Sequence, residues 1–403
     1  MARSIAALLL VFLLPSLARS EATVEVDSRL KPLERWLTQE DSILRAMAAF
    51  ELRHHDDPGA VHLLVRLLQE EKDTVAVGCA LGSLGSRSRA DLVAEGGPVL
   101  AGLLVRLVAH ENRVLRQRAW EVLRTIAGSD PTTETNDLRL WWLKNRAALA
   151  KEQAALLAAR RRPATPHAGG VPPAPDESVT VPADRNKDLY DYVAELRRDG
   201  LEICIVMDST GSMGQVIGRA RSRAAALVKR LAWLVPRFRA GLVTYDDGAR
   251  LRLALTSNGD ALTEAFSKLV ASGGGDWEEG VDKGIRLALR QDRVAWSAKA
   301  WRVIIVIGDA PPHLGDVQPL IRRLATARAD PLYVHSVIVS TVSTHDAGVD
   351  HFQAIATAGG GIHVTLGDTR RLEAELVALS FGAAFRDRVQ PWLAEVALLR
   401  AGN

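Results

Sequence analysis

Cysteine is nearly absent: the 403 residues contain two, Cys79 and Cys204. Two thiols build neither a disulfide framework nor a thiolate zinc site. Each lies in an apolar run of a different domain, so no bridge between them is expected. Stability must come from packed cores. Long apolar runs are missing too. After the N-terminal segment no stretch approaches the roughly 20 residues a spanning helix needs. An excess of one charge is also lacking. The formal net charge is +3, and acids are interspersed with the arginines almost everywhere, which gives no nucleic-acid arm. The dense run Arg160-Arg161-Arg162 closes an alanine-rich helix and reads as a solvated helix end. Catalytic signatures are missing as well: no Gly-x-Ser-x-Gly elbow, no His-Glu-x-x-His, and no phosphate-cradling Gly-x-x-x-x-Gly-Lys loop.

What is present describes an ordinary globular protein, with 47% hydrophobic and 25% charged residues. The length allows roughly two or three domains, each with its own core. Arg3 precedes an apolar core from Ile5 to Leu14, followed by Pro15 and small residues at Ser16, Ala18 and Ser20. That order is a secretory signal peptide over residues 1–20. Its apolar core is too short to anchor, and no cysteine stands at the cleavage point for lipid attachment. A secreted or periplasmic location is therefore expected.

Residues 60–85 echo residues 100–128: LLVRL falls at 63–67 and 103–107, and Ala80 and Leu84 match Ala119 and Leu123. A period near forty residues with two amphipathic helices per unit marks an α-solenoid. These units resemble HEAT repeats, including the Asp73 or Asn112 before the second helix. A degenerate unit at 28–55 and a capping end at WWLKN, 141–145, complete an expected HEAT-like region over 21–150. The resemblance implies a protein-binding concave face or a scaffold. His54, His55, Asp56 and Asp57 form a turn before Pro58 and read as a solvated loop. Residues 151–185 read as the rest of an alanine-rich helix and a Pro/Gly-rich linker.

From residue 201 the pattern changes. LEICIVMD, RAGLVTYDD, RLRLALTS, WRVIIVIGD, LYVHSVIVS and IHVTLG alternate with helical stretches. Helices are expected at 213–235, 260–271, 278–290, 316–329, 349–358 and 368–380. The alternation predicts a doubly wound, Rossmann-like α/β domain around a largely parallel sheet, over 186–380. Ile217, Ala220, Ala224, Leu227, Leu231 and Leu234 keep a helical period and should face that sheet. A further amphipathic helix is expected at 381–403.

Asp208 ends the first strand and Asp309 ends WRVIIVIGD, so both fall on the rim where ligands bind in such folds. Buried carboxylates without basic neighbours need water, hydrogen bonds or a cation. One of the hydroxyls of Thr210 and Ser212 could cap the next helix; a hard divalent cation accounts for both hydroxyls and both carboxylates. An aspartic-protease turn fails, because Ser209 separates the carboxylate from threonine and no second Asp-Thr-Gly occurs.

Residues 201–366 resemble a von Willebrand factor A domain. DSTGS at 208–212 matches the metal-ion-dependent adhesion motif Asp-x-Ser/Thr-x-Ser, SGGGDWEEGVDKGI at 272–285 the glycine-rich loop, and IGDAPPH at 307–313 the aspartate loop. The resemblance implies metal ligation by Thr210 and Ser212, with Asp208 and Asp309 acting directly or through water, and Mg²⁺, Mn²⁺ or Ca²⁺ as the ion. Where better-known members offer threonine from the glycine-rich loop, this chain has Asp276. Asp276 either ligates the metal or caps a helix starting near Glu278. As a ligand it over-neutralises the ion, which holds the metal more tightly and attracts an incoming carboxylate less. Trp277 reads as packing over a helix end, Tyr245, Asp246 and Asp247 as a solvated edge turn, and His313 and Asp316 as candidate ligand contacts. Two functions follow: a non-enzymatic adhesion-type module binding a protein at the metal rim, or a scaffold whose helical array makes the contacts while metal stabilises the A domain. A Mg²⁺-assisted hydrolase lacks an evident base or nucleophile.

Overall fold

The computed structural model describes residues 28–133, 137–160, 189–273, 278–345, 349–368, 371–381 and 385–402. The segment expected to be a signal peptide and the Pro/Gly-rich part of the linker lie outside the described residues. Among those described, no helix is long and apolar enough to cross a membrane.

The N-terminal part is all-helical. It begins with α1 (Lys31–Leu37), α2 (Ser42–Glu51), α3 (Pro58–Glu70) and α4 (Thr74–Leu84). It continues with α5 (Arg89–Glu95), α6 (Gly97–Leu107), α7 (Arg113–Ala127) and α8 (Leu138–Arg160). The two echoing segments become the helix pairs α3/α4 and α6/α7. Asp73 accepts from Val75 N and Ala76 N at 3.0 Å, and Asn112 from Leu115 N at 3.0 Å. These caps satisfy donors that the first helical turn leaves unpaired, each worth about 1 kcal/mol. Two departures from the expected array appear. Helix α5 intervenes between the pairs, started by Ser88, whose Oγ accepts from Asp91 N at 3.1 Å and donates to Asp91 Oδ2 at 2.6 Å. WWLKN and the alanine-rich stretch after it are one continuous helix, the 23-residue α8, which packs on α5 and α6.

Helix α9 (Leu189–Asp199) leads into the second part. Its strands are β1 (Leu201–Asp208), β2 (Phe238–Tyr245), β3 (Ala249–Thr256), β4 (Trp301–Gly308), β5 (Ile338–Ser343) and β6 (Gly360–Thr365). They form a mostly parallel sheet in the order β3-β2-β1-β4-β5-β6, with only β3 antiparallel to its neighbour. The helices are α10 (Gly214–Leu234), α11 (Gly259–Ser267), α12 (Val281–Ala288), α13 (Gln291–Val294), α14 (Leu314–Arg328), α15 (Val349–Ala358) and α16 (Leu372–Leu379). Strand alternation divides the core. Ile203, Ile205 and Met207 pack with α10 and α16 on one face, while Cys204 and Val206 pack with α12, α14 and α15 on the other. All six periodic residues of α10 are buried. Both cysteines are buried and free, in separate parts of the fold.

The strand expected at 332–340 is displaced: β5 starts at Ile338, and Leu332 and Val334 are 58% and 68% exposed. The apolar character there serves another contact, Tyr333 lying under the Arg302 guanidinium at 3.3 Å from the ring centroid.

The C-terminal residues form α17 (Arg386–Ala401), which buries Val389, Trp392, Val396 and Leu399. It packs on α16 and on α4 and α7 of the helical array. Glu395 receives Arg118, and Arg53 at 3.4 Å, while Asn112 Nδ2 donates to Leu399 O at 3.0 Å. A Cβ on Gly78 would stand 2.1 Å from the Leu399 side chain, so the missing side chain is what lets α17 lie close. One apolar core consequently runs from the array into the sheet domain.

Candidate metal centre

Three loops meet at the carboxyl end of β1 and β4. Because these strands are adjacent and parallel, with Met207 opposite Ile307, Asp208 falls level with Gly308 and Asp309 follows one residue beyond, so both leave the sheet at the same rim. Hydrogen bonds knit the loops together. Ser272 N donates to Ser209 O at 2.9 Å and Gly211 N to Gly273 O at 3.2 Å, tying the glycine-rich loop to DSTGS. Gly273 has φ +82°, a conformation that glycine adopts without strain. Glu279 N donates to Pro311 O at 2.9 Å, tying the same loop to the aspartate loop.

Within this frame Asp208 Oδ1 accepts from Thr210 N at 2.8 Å and Thr210 Oγ1 at 2.7 Å, and the Thr210 and Ser212 hydroxyls stand 3.2 Å apart. Neither hydroxyl caps a helix: α10 has Met213 at its N-cap with no side-chain bond, and Thr210 makes none at the short turn before it. Ser212 is exposed and Thr210 buried, so the pair spans the rim from inside to solvent. Asp208 is fully buried, Asp309 is 8% exposed, and neither Asp208 Oδ2 nor Asp309 Oδ1 has a hydrogen-bond partner. Burial pushes the Asp208 carboxyl up to about 6; the Thr210 hydrogen bonds oppose the rise and the Asp309 carboxyl adds to it.

Glu279 belongs to this neighbourhood, and Asp282 is a further buried acid at the start of α12. Glu279 is 3% exposed with Oε2 unpartnered, and burial together with the charges of Asp208, Asp247, Asp309 and Asp246 pushes it up to about 7. Asp282 is 2% exposed, with Oδ1 unpartnered and Oδ2 3.3 Å from Arg286. Nothing in the sequence marks which acid of GDWEEG turns inward. Glu278 does not: it meets His313 Nδ1 at 3.2 Å on the half-exposed rim. Asp316 lies in the first turn of α14.

Asp276 and Trp277 lie outside the described residues. The helix expected near Glu278 begins at Val281, with Gly280 at its N-cap. Tyr245 corrects the edge-turn reading. It is fully buried at the end of β2, and burial plus the charges of Asp208, Asp309 and Glu279 hold its hydroxyl well above its usual range. Asp246, as expected of a turn, pairs with Arg250 and accepts from Gly248 N at 2.8 Å.

The donor set is oxygen only: two hydroxyls and two carboxylates with unpartnered buried oxygens. That chemistry suits a hard divalent cation that keeps part of its water. Among the described residues, His, Cys, Asp and Glu alone form no group of three able to hold a metal, so ligation here would depend on the hydroxyls.

The family comparison agrees with this architecture. Residues 202–368 match the family model of the von Willebrand factor A domain. An uncharacterized protein of Synechocystis sp., sll0103, is 30% identical over 146 residues, which is 35% of this chain and 32% of that protein. The match thus spans about a third of the relative's length. Among solved structures, BatB from Bacteroides thetaiotaomicron is 18% identical, covering 49% of this chain and 99% of that one at a TM-score of 0.35. A von Willebrand factor type A protein from Catenulispora acidiphila is 17% identical, covering 45% and 42% at a TM-score of 0.36. Sheet order and the family match define a C-terminal domain of von Willebrand factor A type behind an all-helical region.

Proposed function

We infer that the chain is an exported, non-enzymatic protein-binding module that holds a divalent cation, Mg²⁺ by its donor chemistry, at the rim formed by Asp208, Thr210, Ser212 and Asp309, with Asp276 as the further candidate ligand. The observation that carries this reading is the pair of buried, unpartnered oxygens, Asp208 Oδ2 and Asp309 Oδ1, beside two hydroxyls that cap nothing. A group kept ionised there without a counter-charge is costly, and a cation removes that cost. When bound, the ion supplies an electrophilic contact for a partner's oxygen. Thr210 orients Asp208 through its N–H and hydroxyl, Tyr245 and Glu279 keep water from the inner side, and Ser212 faces the approaching partner.

A second reading keeps the metal structural and gives the contacts to a HEAT-like array. It is favoured by the continuous core between array and sheet domain, which makes the chain one body. The faces of α4 and α7, however, already carry α17. Capture of partners from the extracellular or periplasmic fraction, with and without a chelator, separates the two. Loss of the partner in EDTA supports the rim; full retention rejects it in favour of the scaffold.

A further inference from the structure

Several arginines of this protein are paired with acids. Arg45 meets Glu71, Arg89 meets Glu152, Arg118 meets Glu395, Arg160 meets Asp91 and Glu95, and Arg239 meets Glu202. Helix α10 is different. Its 21 residues, GQVIGRARSRAAALVKRLAWL, contain five cations and no acid. Arg219, Arg221, Arg223 and Lys229 are exposed and have no acidic partner among the described residues. At 100° per residue, Arg219 and Arg223 lie on one border of the solvent face and Arg221 on the other, with Lys229 between them. Gly218, Ser222, Ala225 and Ala226 are also exposed and keep the middle of that face low. The helix begins two residues after Ser212, so this flat cationic surface runs directly away from the metal rim. Of the acids on the neighbouring α11 and α16, Glu264 is paired with Lys268 and Glu375 with Arg371, while Asp260 stands in the first turn of α11.

We propose that the exposed face of α10 is a docking surface for an acidic polypeptide segment whose leading carboxylate meets the rim. The proposal deepens the rim reading and rests on it for the position of that carboxylate. Charge complementarity names the occupant. The rim is rich in carboxylates, with Asp208, Asp309 and Glu279 buried close together, so a bound ion there is largely neutralised and pulls weakly on an anion. The unpaired cations of α10 supply the long-range attraction that the rim lacks, and set on-rate and orientation more than contact energy. A helix face with low relief suits an extended chain carrying carboxylates at intervals.

The test uses the full chain and a fluorescein-labelled poly-glutamate peptide, followed by anisotropy at low and physiological salt. Wild type binds the peptide in a salt-dependent manner, more tightly in Mg²⁺ than in EDTA. The double charge reversal Arg219→Glu with Arg223→Glu weakens binding about tenfold or more in both conditions. The reversal Arg322→Glu with Arg323→Glu, at exposed positions of α14 in the opposite helical layer, leaves it unchanged. Thermal melts confirm that the surface variants fold. Equal binding by wild type and the α10 variant overturns the proposal, as does an equal loss in the α14 variant. Tighter binding to phosphatidylglycerol vesicles or to a DNA duplex than to the peptide overturns the acidic-polypeptide assignment. If the α10 variant loses binding while Mg²⁺ has no effect, the docking face stands and the rim reading fails.

Discussion

Asp208→Asn should make the metal-free protein more stable, although it removes a residue at the heart of the proposed site. The carboxyl is fully buried with Oδ2 unpartnered, and its folded-state pKa is raised to about 6 from an ordinary 3.8. A raised acid pKa means that the folded state binds more protons than the unfolded state between those two values. Its destabilising contribution therefore grows as pH rises through that window and is complete above it. A shift of about two units corresponds to about 3 kcal/mol. The substituted amide keeps the acceptor for Thr210 N and offers an N–H toward Asp309, so most of that penalty should disappear. Denaturant unfolding in EDTA at neutral pH should show a gain of about 2 kcal/mol for the variant. The gain should vanish below the unfolded pKa, where the wild-type carboxyl is protonated in both states. Excess Mg²⁺ should then stabilise wild type by about 3 kcal/mol at a hundredfold over Kd, and the variant hardly at all. A variant less stable than wild type in EDTA would refute the reasoning, since Asp208 would then be a structural anchor rather than a strained ligand.

Other consequences are as direct. Glu395→Ala leaves Arg118 and Arg53 converging on an empty place between α17 and the array, with side-chain exposures of 14% and 26%; unfolding by denaturant should show a loss of about 3 kcal/mol. Asp276→Ala should weaken Mg²⁺ binding measured by calorimetry, and an unchanged affinity removes this residue from the ligand set. Raising pH from about 4 to about 8 in EDTA should lower the stability of wild type relative to an Asp208→Asn, Glu279→Gln variant, because Asp208 and Glu279 both carry raised pKa values; a relative rise over that range would contradict their burial as unpaired acids.

Much of this arrangement was legible in the sequence because it rests on local rules. The α/β alternation, the inward period of α10 and the placement of Asp208 and Asp309 on one rim follow from strand and helix periodicities and from parallel topology. Where reading failed, long-range contacts decided. Leu332 and Val334 have strand-like character, but Tyr333 is used by Arg302, and pairing with Val303 begins only at Ile338. Tyr245 reads as part of an exposed edge turn with Asp246 and Asp247, yet it is the last residue of β2 and its side chain is fully buried. Helix α5 carried a readable signal, Ser88 followed three residues later by Asp91, the spacing of a capping box. Glu279 had none. Its burial follows from the bond between its N–H and Pro311 O, a contact between loops more than thirty residues apart. The docking of α17 on Gly78 likewise joins distant segments that no periodicity connects.

The central claim is that Thr210 and Ser212, together with the unpartnered carboxylates, hold a divalent cation. Isothermal titration of chelator-stripped protein with Mg²⁺ tests it most directly, comparing wild type with the Thr210→Ala, Ser212→Ala double variant. The account predicts one saturable site in wild type and its loss in the variant. Absence of binding in wild type, or equal binding in both proteins, would contradict it.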